Sequence, residues 1–228
     1  YTGTTTINAG ILSVSYLTSG GGGSDIGAAT NVATNIVING GTLKYTGSGA
    51  TIDRLFSGGS SGGTIDASGS GTLAFSNTGS LAFNAQTGTR TLTLTGTGVA
   101  SLAAVIGDNT GATSLAKSSS GTWSLSASTS SYTGTTTITA GTLSVSTLAD
   151  GGANSGIGAS TNAATNLIIN GGTLQYTGGA VSTDRFVSIG SSGGGIDSSG
   201  SGTLTFTNTG TISFNSQTAP RRVCCKSI

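Results

Sequence analysis

The chain has 228 residues, with no His, Met or Glu, 7% charged residues and a formal net charge of +1. That balance lacks the basic footprint of a protein for nucleic acid or an anionic membrane. It removes most general acid–base arrangements. Cysteine, confined to Cys224 and Cys225, removes a disulfide scaffold or a Cys/His metal centre.

From the start, "YTGTTTINAGILSV" reads as two short strands around an Asn-Ala-Gly corner, with Asn8 and Gly10 at the turn and Leu12 and Val14 pointing inward. The glycine-rich "GGGGSDIGA" at 20–28 reads as a flexible loop. The strand–corner–strand pattern returns 31 residues on in "INGGTLKY" (38–45), with corner residues Asn39 and Gly41 and inward Leu43 and Tyr45. Further alternating segments place Leu73/Phe75, Leu81/Phe83, Leu92/Leu94 and Trp123/Leu125 on one face, with Thr, Ser or Lys on the other. The residues 101–117 come nearest to a helix, but two glycines break them.

At Tyr132 the chain starts over. Residues 1–90 align with 132–221 at an offset of 131 residues, and most aligned positions are identical. Leu143/Val145, Leu174/Tyr176 and Leu204/Phe206 repeat the inward positions, and Gly141, Asn170 and Gly172 repeat the corners. The organisation expected is a first long unit over 1–131, an incomplete second over 132–218, and a divergent tail over 219–228. That tail holds the one Pro and both Cys, and is expected not to continue the repeat. The absence of Met makes the chain read as a piece of a longer precursor.

Short strands, Gly/Asn corners and a recurrent inward apolar residue make a solenoid, because one turn cannot bury its apolar face alone. The expected fold is all-β: a single right-handed parallel β-helix of about ten coils, from coils of ~20–25 residues. Corner Asn residues are expected to hydrogen-bond along its axis.

Residues 116–146, "AKSSSGTWSLSASTSSYTGTTTITAGTLSVS", resemble the autotransporter-associated β-strand repeat. Lys117, Gly121, Trp123, Leu125, Tyr132, Thr133, Gly134, Thr137, Ile138, Gly141, Thr142 and Leu143 stand at the matching places. Thr139 replaces the usual Asn, which Asn8 retains. Residues 1–14 resemble the second half of the same phrase. The resemblance implies a passenger region of a type V secreted protein at the surface of a Gram-negative bacterium. It also implies a β-barrel translocator as the sole link to the membrane, and no barrel strands of ~10 residues with aromatic girdles are present in this chain.

The seven Asp are too few and too spaced for an evident carboxylate pair of the kind glycoside cleavage uses. Asp53-Arg54 and Asp184-Arg185 read as surface ion pairs, with stacked copies as one arrangement. No catalytic, metal or cofactor-binding residue is expected. The preferred reading is a non-catalytic stalk or adhesive surface, touching neighbouring repeats, other copies of itself, surface glycans or host-surface proteins. A carbohydrate-active β-helix enzyme and an ice-binding Thr-rich solenoid are the two rival readings; "TLTLTGT" at 91–97 motivates the second.

Overall fold

Alternation of apolar and hydroxyl residues, interrupted by glycine, produces strands of two to six residues. The computed structural model describes residues 1–83, 85–210 and 212, and the backbone of 223–227. In chain order the first strands are β1 (Thr5–Ile7), β2 (Ile11–Val14), β3 (Ile36–Ile38), β4 (Thr42–Tyr45), β5 (Ala50–Ile52), β6 (Ser57–Gly58), β7 (Gly63–Ala67) and β8 (Leu73–Phe75). Next come β9 (Arg90–Thr95), β10 (Val99–Leu102), β11 (Thr113–Lys117), β12 (Thr122–Leu125), β13 (Thr136–Ile138) and β14 (Thr142–Val145). The remainder are β15 (Leu167–Ile169), β16 (Thr173–Tyr176), β17 (Val181–Thr183), β18 (Ser188–Ile189), β19 (Gly194–Ser198), β20 (Leu204–Phe206) and β21 (Val223–Ser227). Two 3-10 turns, Ala33–Asn35 and Ala164–Asn166, are the helical elements among the described residues.

The strands stack into a parallel β-helix with three faces. The second face runs β2-β4-β7-β9-β11-β13-β15-β18, and the third runs β5-β8-β10-β12-β14-β16-β19-β21. The first face begins with β1-β3-β6 and ends with β17-β20; parallel bridges Ser57↔Ala82 and Ser80↔Val105 extend it between them. All strand pairs in these sheets are parallel. Pairing crosses the boundary between the two sequence units without a break, as β11 pairs β13 and β12 pairs β14.

Parallel register puts like side chains above one another, so the core is a set of columns. On the third face Leu73, Ala100, Trp123, Leu143 and Leu174 follow in register. Small Ala100 lies beside Trp123, whose Nε1 donates to Thr95 O at 2.9 Å. On the second face Leu12, Leu43, Ile65 and Leu94 lead to Lys117, then Ile138, Ile169 and Ile189. Phe56 and Phe75 meet edge-to-face at 5.6 Å, the geometry that the ring quadrupoles favour.

Val14, Leu43, Tyr45, Leu73, Phe75, Leu81, Leu92, Leu94, Trp123, Leu125, Leu143, Val145, Leu174 and Tyr176 are buried. Leu12, Leu204 and Phe206 are partly buried against the same core. Phe83 differs in role: it is half-buried, with the Arg90 guanidinium 4.3 Å over its ring.

At the corners, glycine rather than asparagine takes the left-handed backbone: Gly10, Gly40, Gly141 and Gly171 have φ of 69°, 96°, 64° and 112°. Gly41 and Gly172 are needed for space instead, since a Cβ there would run into Ile7 and Ile138. Asn39 and Asn170 link coils along the axis: their Oδ1 atoms accept the amides of Ser61 and Ser192. The side chain of Asn8 is exposed.

The tail requires a correction. The backbone of Val223–Ser227 pairs in parallel with β19, Gly194 opposite Val223, so these residues belong to the third face of the solenoid. This is the register of the equivalent pair one unit earlier, where Gly63 lies opposite Leu92. Strand pairing is made by the backbone, so it survives where side-chain similarity is lost. The expected boundary at 218/219, residues 219–222, and the side chains of Cys224 and Cys225 lie outside the described residues.

Candidate functional surface

The outward side of the third sheet carries two tracks over successive rungs, uncharged until Asp197 follows Gln175 and covered at Ser144. One runs Val99, Thr122, Thr142, Thr173; the other runs Ser101, Ser124, Ser144, Gln175. The second face is mixed: Thr42, Thr64 and Thr93 are followed by Ala116, Thr137 and Ile168. A neighbouring track brings Lys44 Nζ to 4.0 Å from Asp66 Oδ2. The Thr91/Thr93/Thr95 motif is therefore not repeated rung after rung, as an ice-matching array requires.

Beside the faces stand two lobes, the equivalent segments 18–31 and 149–162. Each is held by an arginine, and here the expectation of surface ion pairs is corrected. Arg54 is 1% exposed and Arg185 is 3% exposed. Arg54 donates from Nε to Thr18 O, from Nη1 to Ala29 O, and from Nη2 to the carbonyls of Ser19, Gly22 and Gly27. Arg185 donates to the carbonyls of Ala149, Ser160, Asp150, Ala153 and Gly158. Five N–H donors in a rigid fork satisfy the inward carbonyls of an irregular loop, a task suited to guanidinium. Desolvation pulls both guanidinium pKa values down.

The neighbouring aspartates bind the lobes from outside. Asp53 accepts Gly20 N at 2.7 Å and Asn31 Nδ2 at 3.1 Å. Asp184 accepts Gly151 N at 2.7 Å and Asn162 Nδ2 at 2.9 Å. The bond from the Gly20 amide holds the Asp53 carboxyl below the usual range, and amides of Tyr16 and Ser15 do the same for Asp25. Asp108 accepts the Thr113 and Thr133 amides. These carboxylates fasten backbone; none of these contacts sets two of them facing one another across a groove. Among the described residues no three His, Cys, Asp or Glu cluster as metal ligands.

Three buried polar residues escaped the sequence reading as structural centres. Lys117 is fully buried in its aliphatic column, and Nζ donates to Ser118 O, Ser119 O and Ala140 O at 2.7–3.1 Å. Burial pushes its pKa down to about 8. Its inward position was readable from alternation with Thr113 and Leu115; its partners were not. Tyr132 is fully buried, shares a 2.8 Å hydrogen bond with Thr136 Oγ1, and burial pushes its phenol up. Arg90 Nη2 binds Gln86 O and Gly88 O.

A family model described as passenger-associated-transport-repeat matches residues 1–14 and 115–145. In the fold these are β1–β2 and β11–β14, with the Lys117 corner and Trp123 inside the second match. The chain carries the passenger-associated-transport repeat. A curated relative, "Adhesin BmaC autotransporter" of Brucella suis biovar 1 (strain 1330), is 46% identical over 98% of this chain. The passenger repeat chain spans 7% of that relative's length. No solved structure matches it.

Proposed function

We propose that this chain is a non-catalytic, adhesive passenger segment of an autotransporter exported to the surface of a Gram-negative cell. The observation that carries this reading is the 46% identity to an autotransporter adhesin across nearly the whole chain. The architecture fits: continuous core columns stiffen the rod, and the outward tracks are mostly Thr, Ser and Gln, with Lys44, Asp66 and Asp197 as charged members. Low charge lets such faces approach one another without repulsion, so contact falls on other copies and on uncharged glycans. The test is display of the full chain on beads, with aggregation read against beads carrying a compact control protein. Aggregation of the displayed rods, with an elongated particle by solution scattering, is the expected result. Dispersed beads that also bind no glycan or host-cell surface overturn the adhesive role.

A further inference from the structure

Arg90 differs from the two lobe arginines in how its donors are used. All three guanidiniums are buried, and Arg90 is 5% exposed. Arg54 and Arg185 spend their donors on five carbonyls each. Arg90 bonds from Nη2 alone, to the carbonyls of Gln86 and Gly88 and, at 3.5 Å, to that of Asn109. Among the described residues its Nε and Nη1 have no hydrogen-bond partner, and neither has Oγ1 of Thr113. Thr113 is 2% exposed and stands opposite Arg90 on the adjacent rung. Buried donors left empty in a native fold call for an occupant, a water or an ion.

A space for one exists. Arg90 and Thr113 line a cavity between the first and second faces, walled by Phe56, Leu81, Leu92 and Ile106. It opens because Gly58, Gly62 and Gly63 bring no side chains to this corner, and because the first face is reduced there to isolated bridges. About 20 Å³ is left to the centre of a water-sized particle, enough for one small occupant. Arg90 also borders a groove of hydroxyls, from Ser60, Ser61, Thr89, Thr91 and Ser114, which gives an ion a short route inward.

We infer that Arg90 and Thr113 hold a single halide ion, chloride in ordinary saline, in this cavity. Charge favours an anion over water. A buried cation is costly unless it is paired, and the Nη2 partners of Arg90 are neutral carbonyls. Among the described residues no carboxylate forms an ion pair with it. Desolvation pulls its pKa down and Asp108 opposes that shift, but Asp108 spends its oxygens on the Thr113 and Thr133 amides. Size and wall chemistry favour a halide over larger anions. The apolar side chains offer nothing to the outer oxygens of sulfate or phosphate, whereas a single weakly hydrated ion needs only the guanidinium and one hydroxyl. Guanidinium is itself weakly hydrated, which suits it to such a dry pairing.

The test uses the full chain in sodium chloride and in sodium gluconate at equal ionic strength. Urea midpoints are expected to rise with chloride and to saturate, because an ion that binds only the folded chain stabilises it by mass action. Chlorine NMR of the same samples is expected to show excess line broadening that bromide displaces. Thr113→Val keeps the shape and removes the hydroxyl donor, so it should lose most of the chloride-dependent rise and of the broadening; Arg90→Met should lose both. Should Arg90→Met fail to fold, Thr113→Val and the wild-type chain still decide. Equal midpoints in chloride and gluconate, without broadening, make water the occupant and overturn the halide site. Broadening that persists undiminished in Thr113→Val overturns its assignment to this cavity.

Discussion

Arg54 and Arg185 occupy equivalent positions in the two sequence units, perform the same task on two lobes, and stand on different faces of the rod. Each gathers five carbonyls of its lobe around one guanidinium.

Arg54→Met is therefore expected to destabilise the chain by about 3 kcal/mol, because buried acceptors lose their donors. Arg54→Lys is expected to recover little, since an ammonium cannot span the five carbonyls. Denaturant midpoints measure both, and faster hydrogen exchange at Gly21, whose amide binds Ala29 O within the lobe, locates the damage.

Alkaline stability is expected to pass through a maximum. Lys117 has its pKa lowered to about 8, so the folded chain gives up that proton before the unfolded chain does. Between pH 8 and the ordinary lysine value the unfolded state binds more protons, and stability rises with pH. Tyr132 acts in the opposite sense: its pKa is raised, so above pH 10 the unfolded chain loses a proton that the folded chain keeps, and stability falls. Urea midpoints across pH 7–11 check the curve; Lys117→Met should flatten the rise, and Tyr132→Phe should remove part of the fall.

Acid acts through Asp53 and Asp25, whose pKa values lie below the ordinary 3.8. Their contribution is complete above that value and is lost as pH falls through the lowered ones. Asp53→Asn is expected to reduce the acid sensitivity of the lobe, measured by exchange at the Gly20 amide between pH 2 and 5.

Trp123 is the chain's one tryptophan and is 1% exposed, so its fluorescence reports the core directly. Trp123→Ala is expected to cost about 3–5 kcal/mol through the cavity left in its column. Trp123→Phe should cost less, losing volume and the bond to Thr95 O. Blue-shifted emission in the native chain, moving red on unfolding, checks the burial.

Glycine has separable roles. Gly41→Ala drives a Cβ into Ile7, and overpacking of this kind costs about 1–3 kcal/mol. Gly23→Ala meets nothing within 4 Å and is expected to change stability by less than about 0.5 kcal/mol. Thermal melts of the pair distinguish a spatial requirement from mere composition.

Much of this molecule is legible in its residues. Alternation identifies inward Leu43, Leu143 and Trp123 because a strand places successive side chains on opposite faces, whatever the fold around it. Repetition reveals a solenoid because no unit closes its own core. Arg54 was misread because local sequence sets it beside Asp53, while the carbonyls it serves come from up to 36 residues earlier. The tail was misread because its divergence is in side chains, and pairing with β19 is made by main-chain groups.

The sequence by itself determined the strand, the corner, the repeat and the parallel stack, all of them consequences of short-range pattern. Tertiary structure alone decided on which face each repeat begins. Three faces that share one inward–outward rule are indistinguishable to an alignment, so the offset of one face between β1 and β13 is set only by how many strand positions the chain fits between them.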